Sequence, residues 1–262
     1  MRVVILGLPP TTNNLYTIVA GRQIISETGR LYHQSVAAVL RRVWRQTPGA
    51  GPFAVLLTYY LNYDRDIDGS QKVVLDGFAP KTKDGERETI VWHDDRQLVL
   101  FAARKVKVPK GVLPYIAIII RPLARPPIFK PITSRAPRIL SFSTELIPPT
   151  TNNLYTPATI GRRKTRNGKL ITQAYREGFA ALVRQKDLGG EKFPLNGAVR
   201  VKLRFSFTAD RRDVDGSSKL IFDAARQILW ADDNQVTSYS VAKARVGQKN
   251  ELPCLEGDIW AL

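Results

Sequence analysis

Sulfur and imidazole are scarce in this 262-residue chain, which has one cysteine (Cys254), one methionine and two histidines (His33 and His93). A single cysteine excludes an intrachain disulfide and a thiolate metal cluster, so disulfide scaffolds and zinc fingers fall away and a reducing cytoplasm is the expected setting. Two lone histidines do not make a catalytic pair. Long apolar runs are missing too. Stretches such as Val3 to Leu8 and Tyr115 to Ile120 are far short of the roughly 20 residues a membrane span requires, so no membrane partner is expected. The N-terminus, Arg2 followed by a β-branched run ending at Pro9-Pro10, lacks the apolar core and cleavage site of a signal peptide and reads as a first strand. Acids are the remaining shortage. With 23 Asp plus Glu against 40 Lys plus Arg, the formal net charge is +17, which favours a polyanionic partner such as nucleic acid.

What is present begins with globular composition, 44% hydrophobic and 24% charged, on a chain long enough for two domains. The chain also repeats itself. Leu8-Pro-Pro-Thr-Thr-Asn-Asn-Leu-Tyr-Thr17 returns as Ile147 to Thr156 with only its first residue changed. Asp66-Ile-Asp-Gly-Ser-Gln-Lys72 with Asp76 returns as Asp213-Val-Asp-Gly-Ser-Ser-Lys219 with Asp223, and Asp94-Asp95 returns as Asp232-Asp233. The three blocks keep their order, so the expectation is one unit used twice, residues 1–121 and 139–262. Copy one carries extra residues in the polar stretch Pro80 to Glu88. Between the copies, residues 122–138 hold Pro122, Pro126, Pro127, Pro131 and Pro137 among basic residues, a composition that favours extended polyproline II at about 3.1 Å per residue.

Each copy predicts the same elements. A first strand (Val3 to Leu8, or Arg138 to Ser143) leads through the Pro-Pro-Thr-Thr-Asn-Asn loop to a basic loop or hairpin. A helix follows, since Val36, Val39, Leu40, Val43 and Trp44 recur at helical spacing, as do Tyr175, Gly178, Phe179, Leu182 and Val183. Val199, Val201, Leu203, Phe205 and Phe207 then alternate with Arg200, Lys202 and Arg204, the pattern of a half-buried strand whose outward basic face is solvated or meets DNA. Phe53, Val55, Leu57 and Tyr59 match it in copy one. A second helix after the Asp-x-Asp pair and one or two closing strands complete each copy. The fold class is α+β, with a small mixed sheet and two helices per copy.

In so basic a chain, acids concentrate where something cationic sits among them. Asp213 and Asp215 stand two apart at the end of a strand, on one face and close enough to share a divalent cation. Asp215 also reads as the N-cap of the following helix, on which Lys219 and Asp223 share a polar face. Asp66, Asp68, Lys72 and Asp76 repeat the arrangement. One acid of Asp94-Asp95 and one of Asp232-Asp233 would complete a three-carboxylate site. Oxygen ligands without nearby histidine or cysteine suit Mg²⁺, or Mn²⁺, and such sites hydrolyse phosphodiesters, with a lysine offsetting developing charge. Alternatively, Lys72 and Lys219 serve only as i, i+4 salt-bridge partners of neighbouring aspartates.

These residues resemble the RusA family, Mg²⁺-dependent Holliday-junction resolvases of bacteria and their phages. The resemblance rests on Pro-Pro-x-x-Asn-Asn-x-Tyr (Pro9 to Tyr16, Pro148 to Tyr155), Arg-Asp-x-Asp-x-x-x-Lys-x-x-x-Asp (Arg65 to Asp76, Arg212 to Asp223) and Asp-Asp-x-Gln-Val (Asp232 to Val236), which copy one reads as Asp94-Asp95-Arg96-Gln97-Leu98. By position it implies catalytic and metal-holding carboxylates at Asp66, Asp68, Asp95, Asp213, Asp215 and Asp233, and catalytic lysines at Lys72 and Lys219. Where family members carry an asparagine linked to junction binding, this chain has Gly69 and Gly216. The family works as a homodimer, so two sets in one chain imply an intramolecular pseudo-dimer, one monomer acting on branched DNA. Rival readings are a non-catalytic DNA-binding protein on the same scaffold and a nuclease for other branched DNA.

The DNA-gripping residues are expected in the basic runs. Arg162, Arg163, Lys164, Arg166 and Lys169 form the densest, with Asn167-Gly168 predicting a hairpin turn inside it, and Arg22 to Arg30 is the thinner counterpart. Arg65 and Arg212 flank the acidic blocks. Asn13, Asn14, Asn152 and Asn153 either contact DNA or hold the loop after Pro-Pro through local backbone hydrogen bonds.

Overall fold

The computed structural model describes residues 1–19, 22–67, 70–80, 88–124, 137–148, 155–157, 162–187, 192–207, 214–245 and 253–262. The chain divides into two compact units, Met1–Ile128 with Pro157–Arg162, and Phe129–Thr156 with Arg163–Leu262. Both are mixed α+β.

The first unit is built on β4 (Phe53–Leu61), whose alternate residues Phe53, Val55, Leu57, Tyr59 and Leu61 are all buried. It runs parallel to β5 (Leu98–Lys107) and antiparallel to β6 (Tyr115–Pro122), which in turn pairs antiparallel with β1 (Arg2–Leu6). After β1, the Pro-Pro-Thr-Thr-Asn-Asn segment closes into a single turn, α1 (Thr12–Leu15), and a hairpin of β2 (Tyr16–Val19) and β3 (Arg22–Ile25) follows as expected. A parallel pair needs a crossover, and α3 (Gln71–Asp76) lies within it. The long helix α2 (Glu27–Val43) is capped by Ser26, whose Oγ accepts from Gly29 N–H at 3.1 Å.

The buried stripe of α2 differs from the predicted one. Val36 and Leu40 belong to both, but the core face also takes in Tyr32, His33 and Ala37, while Val39 is half-buried and Val43 is exposed. The polar tips of Tyr32 and His33 hid their burial from an apolar count. His33 Nε2 is buried with no hydrogen-bond partner. Burial lowers the imidazole pKa below its ordinary 6.5, outweighing the opposite pull of Asp76 and aided by Lys72.

Among the described residues the second unit has the same order of strands and longer helices. β10 (Val199–Phe207) runs parallel to β11 (Val236–Arg245) and antiparallel to β12 (Cys254–Ala261), which pairs with β7 (Arg138–Thr144). Two short strands, β8 (Tyr155–Pro157) and β9 (Arg162–Lys164), precede α4 (Arg166–Asp187), and α5 (Val214–Ala225) lies in the crossover. Gly168, Thr172, Tyr175 and Phe179 form the buried face of α4, whereas Gly178 is exposed and Leu182 and Val183 are half-buried. Tyr175 donates its hydroxyl to the Leu146 carbonyl, which lets a phenol occupy a core position. The basic side of β10 is not simply solvated: Lys202 is buried, Arg200 Nε donates to Ser238 Oγ at 3.1 Å, and Arg204 pairs with Glu256 at 3.2 Å. The proline-rich segment begins inside β6 at Pro122 and ends inside β7 at Arg138, and its residues 125–136 lie outside those described. So do 81–87.

Two predictions follow from this packing. A Cβ on Gly257 would lie 2.2 Å from the Phe142 ring, which is itself held edge-on against Phe179 at 5.1 Å. Gly257→Ala should therefore lower stability by about 1–3 kcal/mol in urea denaturation. His33 stabilises the fold as the neutral form: its contribution is present above pH 6.5 and is lost as pH falls toward its lowered folded pKa, because the unfolded chain takes up the proton first. His33→Gln should flatten that acid limb of a stability-against-pH curve.

Candidate active site

The acidic turn is the better defined of the two acidic blocks. In the first unit Asp94 caps a 3-10 turn, Asp95–Gln97, its Oδ1 accepting from Arg96 N–H at 2.8 Å while Arg96 pairs with its Oδ2 at 2.7 Å. Gln97 closes the box, its Oε1 accepting from Asp94 N–H at 3.0 Å and its Nε2 donating to the Gly49 and Gly51 carbonyls at 2.7 and 3.0 Å. The second unit does the same with Asp232 and Gln235: Asp232 Oδ1 accepts from Asn234 N–H at 2.9 Å, and Gln235 Nε2 donates to the Leu195 and Gly197 carbonyls at 2.8 and 2.9 Å. The first aspartate of each pair is thus the structural one. The second faces a tryptophan: Trp92 Nε1 donates to Asp95 Oδ1 at 3.1 Å, and Trp230 Nε1 to Asp233 Oδ1 at 2.9 Å. Both indoles are fully buried, Trp92 against Phe53 and Phe78, Trp230 against Phe222.

The helix-entry block is described in part. Asp66 is half-buried beside Arg65, whose Nη2 donates to the Pro9 carbonyl, so this guanidinium, expected on DNA, ties the Pro-Pro segment to the acidic block. Ser217 Oγ contacts the Pro148 carbonyl at 3.5 Å in the second unit. Asp68, Asp213 and Arg212 lie outside the described residues. Asp215 sits inside the first turn of α5 rather than at its cap, because the helix starts one residue earlier, at Val214. The lysines meet the i, i+4 alternative: Lys72 Nζ lies 3.0 Å from Asp76 Oδ1 and Lys219 Nζ 3.3 Å from Asp223 Oδ1, all four half-buried.

Strand register separates the two acidic blocks within a unit. Asp66 follows the C-terminal end of β4, where Ser70 reaches the Tyr59 hydroxyl at 3.3 Å; Asp95 precedes β5, whose Leu98 pairs with Phe53 at the N-terminal end of β4. Nine residues of strand at about 3.3 Å each lie between, against ligand distances of about 2–2.6 Å around one ion. The second unit repeats this, with α5 entering beside the end of β10 and Asp233 beside its start. Within one unit the register thus sets the acidic turn a strand's length from the start of the helix-entry block, whose Asp68 and Asp213 lie outside the described residues. Among the described residues no three Asp, Glu, His or Cys side chains converge on one point. The donor chemistry itself, hard carboxylate oxygens throughout, fits a hard divalent cation.

Of the expected DNA contacts, Arg166 and Lys169 are exposed but lie on α4. Asn167-Gly168 belongs to its first turn, since Thr165 Oγ1 accepts from Gly168 N–H at 2.9 Å and nucleates a helix where a hairpin turn was expected. Arg30 is exposed on α2, and Asn14 is exposed on α1 with its carbonyl accepting from Ser26 Oγ at 2.8 Å. Only the backbone is described for Asn13, Arg22, Arg162, Arg163 and Lys164, in α1, β3 and β9; Asn152 and Asn153 lie outside the described residues. Sequence reasoning missed Trp92 and Trp230. The legible signal was a tryptophan three residues before the second aspartate of each Asp-Asp pair.

Residues 130–252 match the family model described as Endodeoxyribonuclease RusA, a class of DNA-cleaving hydrolases. Over 108 residues the chain is 30% identical to the crossover junction endodeoxyribonuclease RusA of Escherichia coli (strain K12) and 31% identical to that of Enterobacteria phage 82, in each case 40% of this chain and 83% of the relative. The relative from Shigella sonnei (strain Ss046) stands at 30% over the same length. The chain belongs to the RusA family.

Asp232→Ala should lower stability by about 1 kcal/mol in urea denaturation through loss of the N-cap, and Gln235→Ala by about 1–2 kcal/mol because it frees the half-buried Asp232 N–H and Leu195 carbonyl.

Proposed function

We propose that the chain is a divalent-cation-dependent endodeoxyribonuclease that resolves four-way DNA junctions by paired phosphodiester hydrolysis, with Mg²⁺ as the working ion and Mn²⁺ as a substitute. The observation that carries this reading is the recurrence, in both units of a chain of net charge +17, of an aspartate held by a buried indole. Residues 1–121 and 139–262 are proposed as tandem copies joined by 122–138, so that one chain brings two catalytic sets and works as a monomeric pseudo-dimer in the cytoplasm.

Asp66 and Asp68, and Asp213 and Asp215, hold the ion through carboxylate oxygens; Asp95 and Asp233, at the other end of the central strand of their own unit, are the further acids assigned to catalysis. A divalent ion held there would supply Lewis acidity, polarising a phosphoryl oxygen and lowering the pKa of a water so that it attacks as hydroxide. Lys72 and Lys219, steadied by Asp76 and Asp223, present an ammonium that offsets charge building on the phosphate. Arg22, Arg30, Arg162, Arg163, Lys164, Arg166 and Lys169 grip the backbone, which makes affinity fall with salt.

The test is cleavage of a synthetic four-way junction with and without Mg²⁺, mapping nicks on all four strands beside flap and linear duplex controls. Paired nicks on opposed strands are expected only with the ion. Asp66→Asn with Asp213→Asn, and Asp95→Asn with Asp233→Asn, should each slow cleavage by at least about 10²-fold while junction binding persists. Wild-type binding without nicking in either metal would leave a DNA-binding protein, and preference for flaps would redirect the substrate. A strict dimer of full chains with one inactive half would overturn the pseudo-dimer.

A further inference from the structure

We propose that Trp92 and Trp230 are positioning residues for the reaction: each core indole fixes the orientation of the carboxylate, Asp95 or Asp233, that serves the divalent ion. This rests on the proposed role of those aspartates. The geometry argues for a built device. Each indole is fully buried and confined by aromatic neighbours, Trp92 by Phe53 at 5.6 Å and Phe78 at 4.7 Å, Trp230 by Phe222 at 6.0 Å, so its N–H has one direction in which to point. In both units it points at Oδ1 of the second aspartate, at 3.1 and 2.9 Å. The capping box and the two glutamine-to-carbonyl bonds already hold the backbone of the turn, so neither the fold of the turn nor its capping requires this bond. What it adds is control of rotation about the Asp Cβ–Cγ bond, the freedom that decides where the carboxylate lone pairs aim. Donors behind a ligating group typically change metal affinity or activity by about 10–100-fold.

The four tryptophans make the test spectroscopic. In the ¹H–¹⁵N spectrum of the full chain labelled at the indole nitrogens, titration with Mg²⁺ should shift the Trp92 and Trp230 cross-peaks saturably and leave Trp44 and Trp260 in place, with assignments from single Trp→Phe variants. In parallel, Mn²⁺ binding by calorimetry should weaken about tenfold in Trp92→Phe with Trp230→Phe, and the Mn²⁺ needed for half-maximal nicking should rise with it, whereas Trp260→Phe should alter neither. Site-specific replacement of Trp230 by benzothienylalanine, which keeps the ring shape and lacks the N–H, covers the case of a variant that does not fold. Saturable Mg²⁺ binding with unmoved Trp92 and Trp230 signals, or unchanged Mn²⁺ affinity in the variants, would overturn the inference alone. A wild-type chain that takes up neither ion would overturn it together with the proposed function.

Discussion

An indole N–H facing a carboxylate is the contact that ties the acidic turn of each unit to its core. A charged carboxylate at the margin of a core is costly unless donors surround it. Asp233 is only 6% exposed, and Trp230 supplies a donor from the buried side while the turn's own backbone is occupied by Asp232 and Gln235. The indole therefore joins two demands, filling the core with a large ring and holding an acid at its edge. In the first unit the aromatic contacts of Trp92 with Phe53 and Phe78 connect Asp95 to the first residue of the central strand and to the segment after α3.

Division of labour between adjacent aspartates follows from this. Asp94 and Asp232 spend their oxygens on backbone N–H groups and a neighbouring arginine, Arg96 or Arg226. Asp95 and Asp233 project from the same turn toward the indole. Two identical residues side by side take different roles because one stands at the cap and the next is the first residue of the turn. A similar economy governs the long helices, where Ser26 and Thr165 cap short links from the preceding strands and leave Arg30, Arg166 and Lys169 exposed.

Much of the fold was legible because it is periodic. Alternation in Phe53 to Leu61 and Val199 to Phe207 marks strands with one buried face, and the structure has them at those residues. Errors arose where polar atoms find partners or burial that only the fold supplies. Lys202 and His33 are buried despite their charge or imidazole, and Asn167-Gly168 turned helical because Thr165 caps it. The acidic blocks of the candidate site were legible as composition and spacing: an acid pair, a lysine, a further acid pair, twice. Distance between those blocks was not, because a chain reading carries no register, and register sets them at opposite ends of β4 and of β10.

By itself the sequence determined the charge imbalance, the repeated blocks, the fold class and membership of a DNA-cleaving family, since these depend on residue identity and short-range order. Tertiary structure alone decided which aspartate of each pair is a cap, that Arg65 holds the Pro9 carbonyl, and that Trp92 and Trp230 stand behind the acidic turns. The physical reason is that hydrogen bonds are directional and short. Whether a donor meets an acceptor depends on where packing and strand pairing carry each side chain, and neither is written in the spacing of residues along the chain.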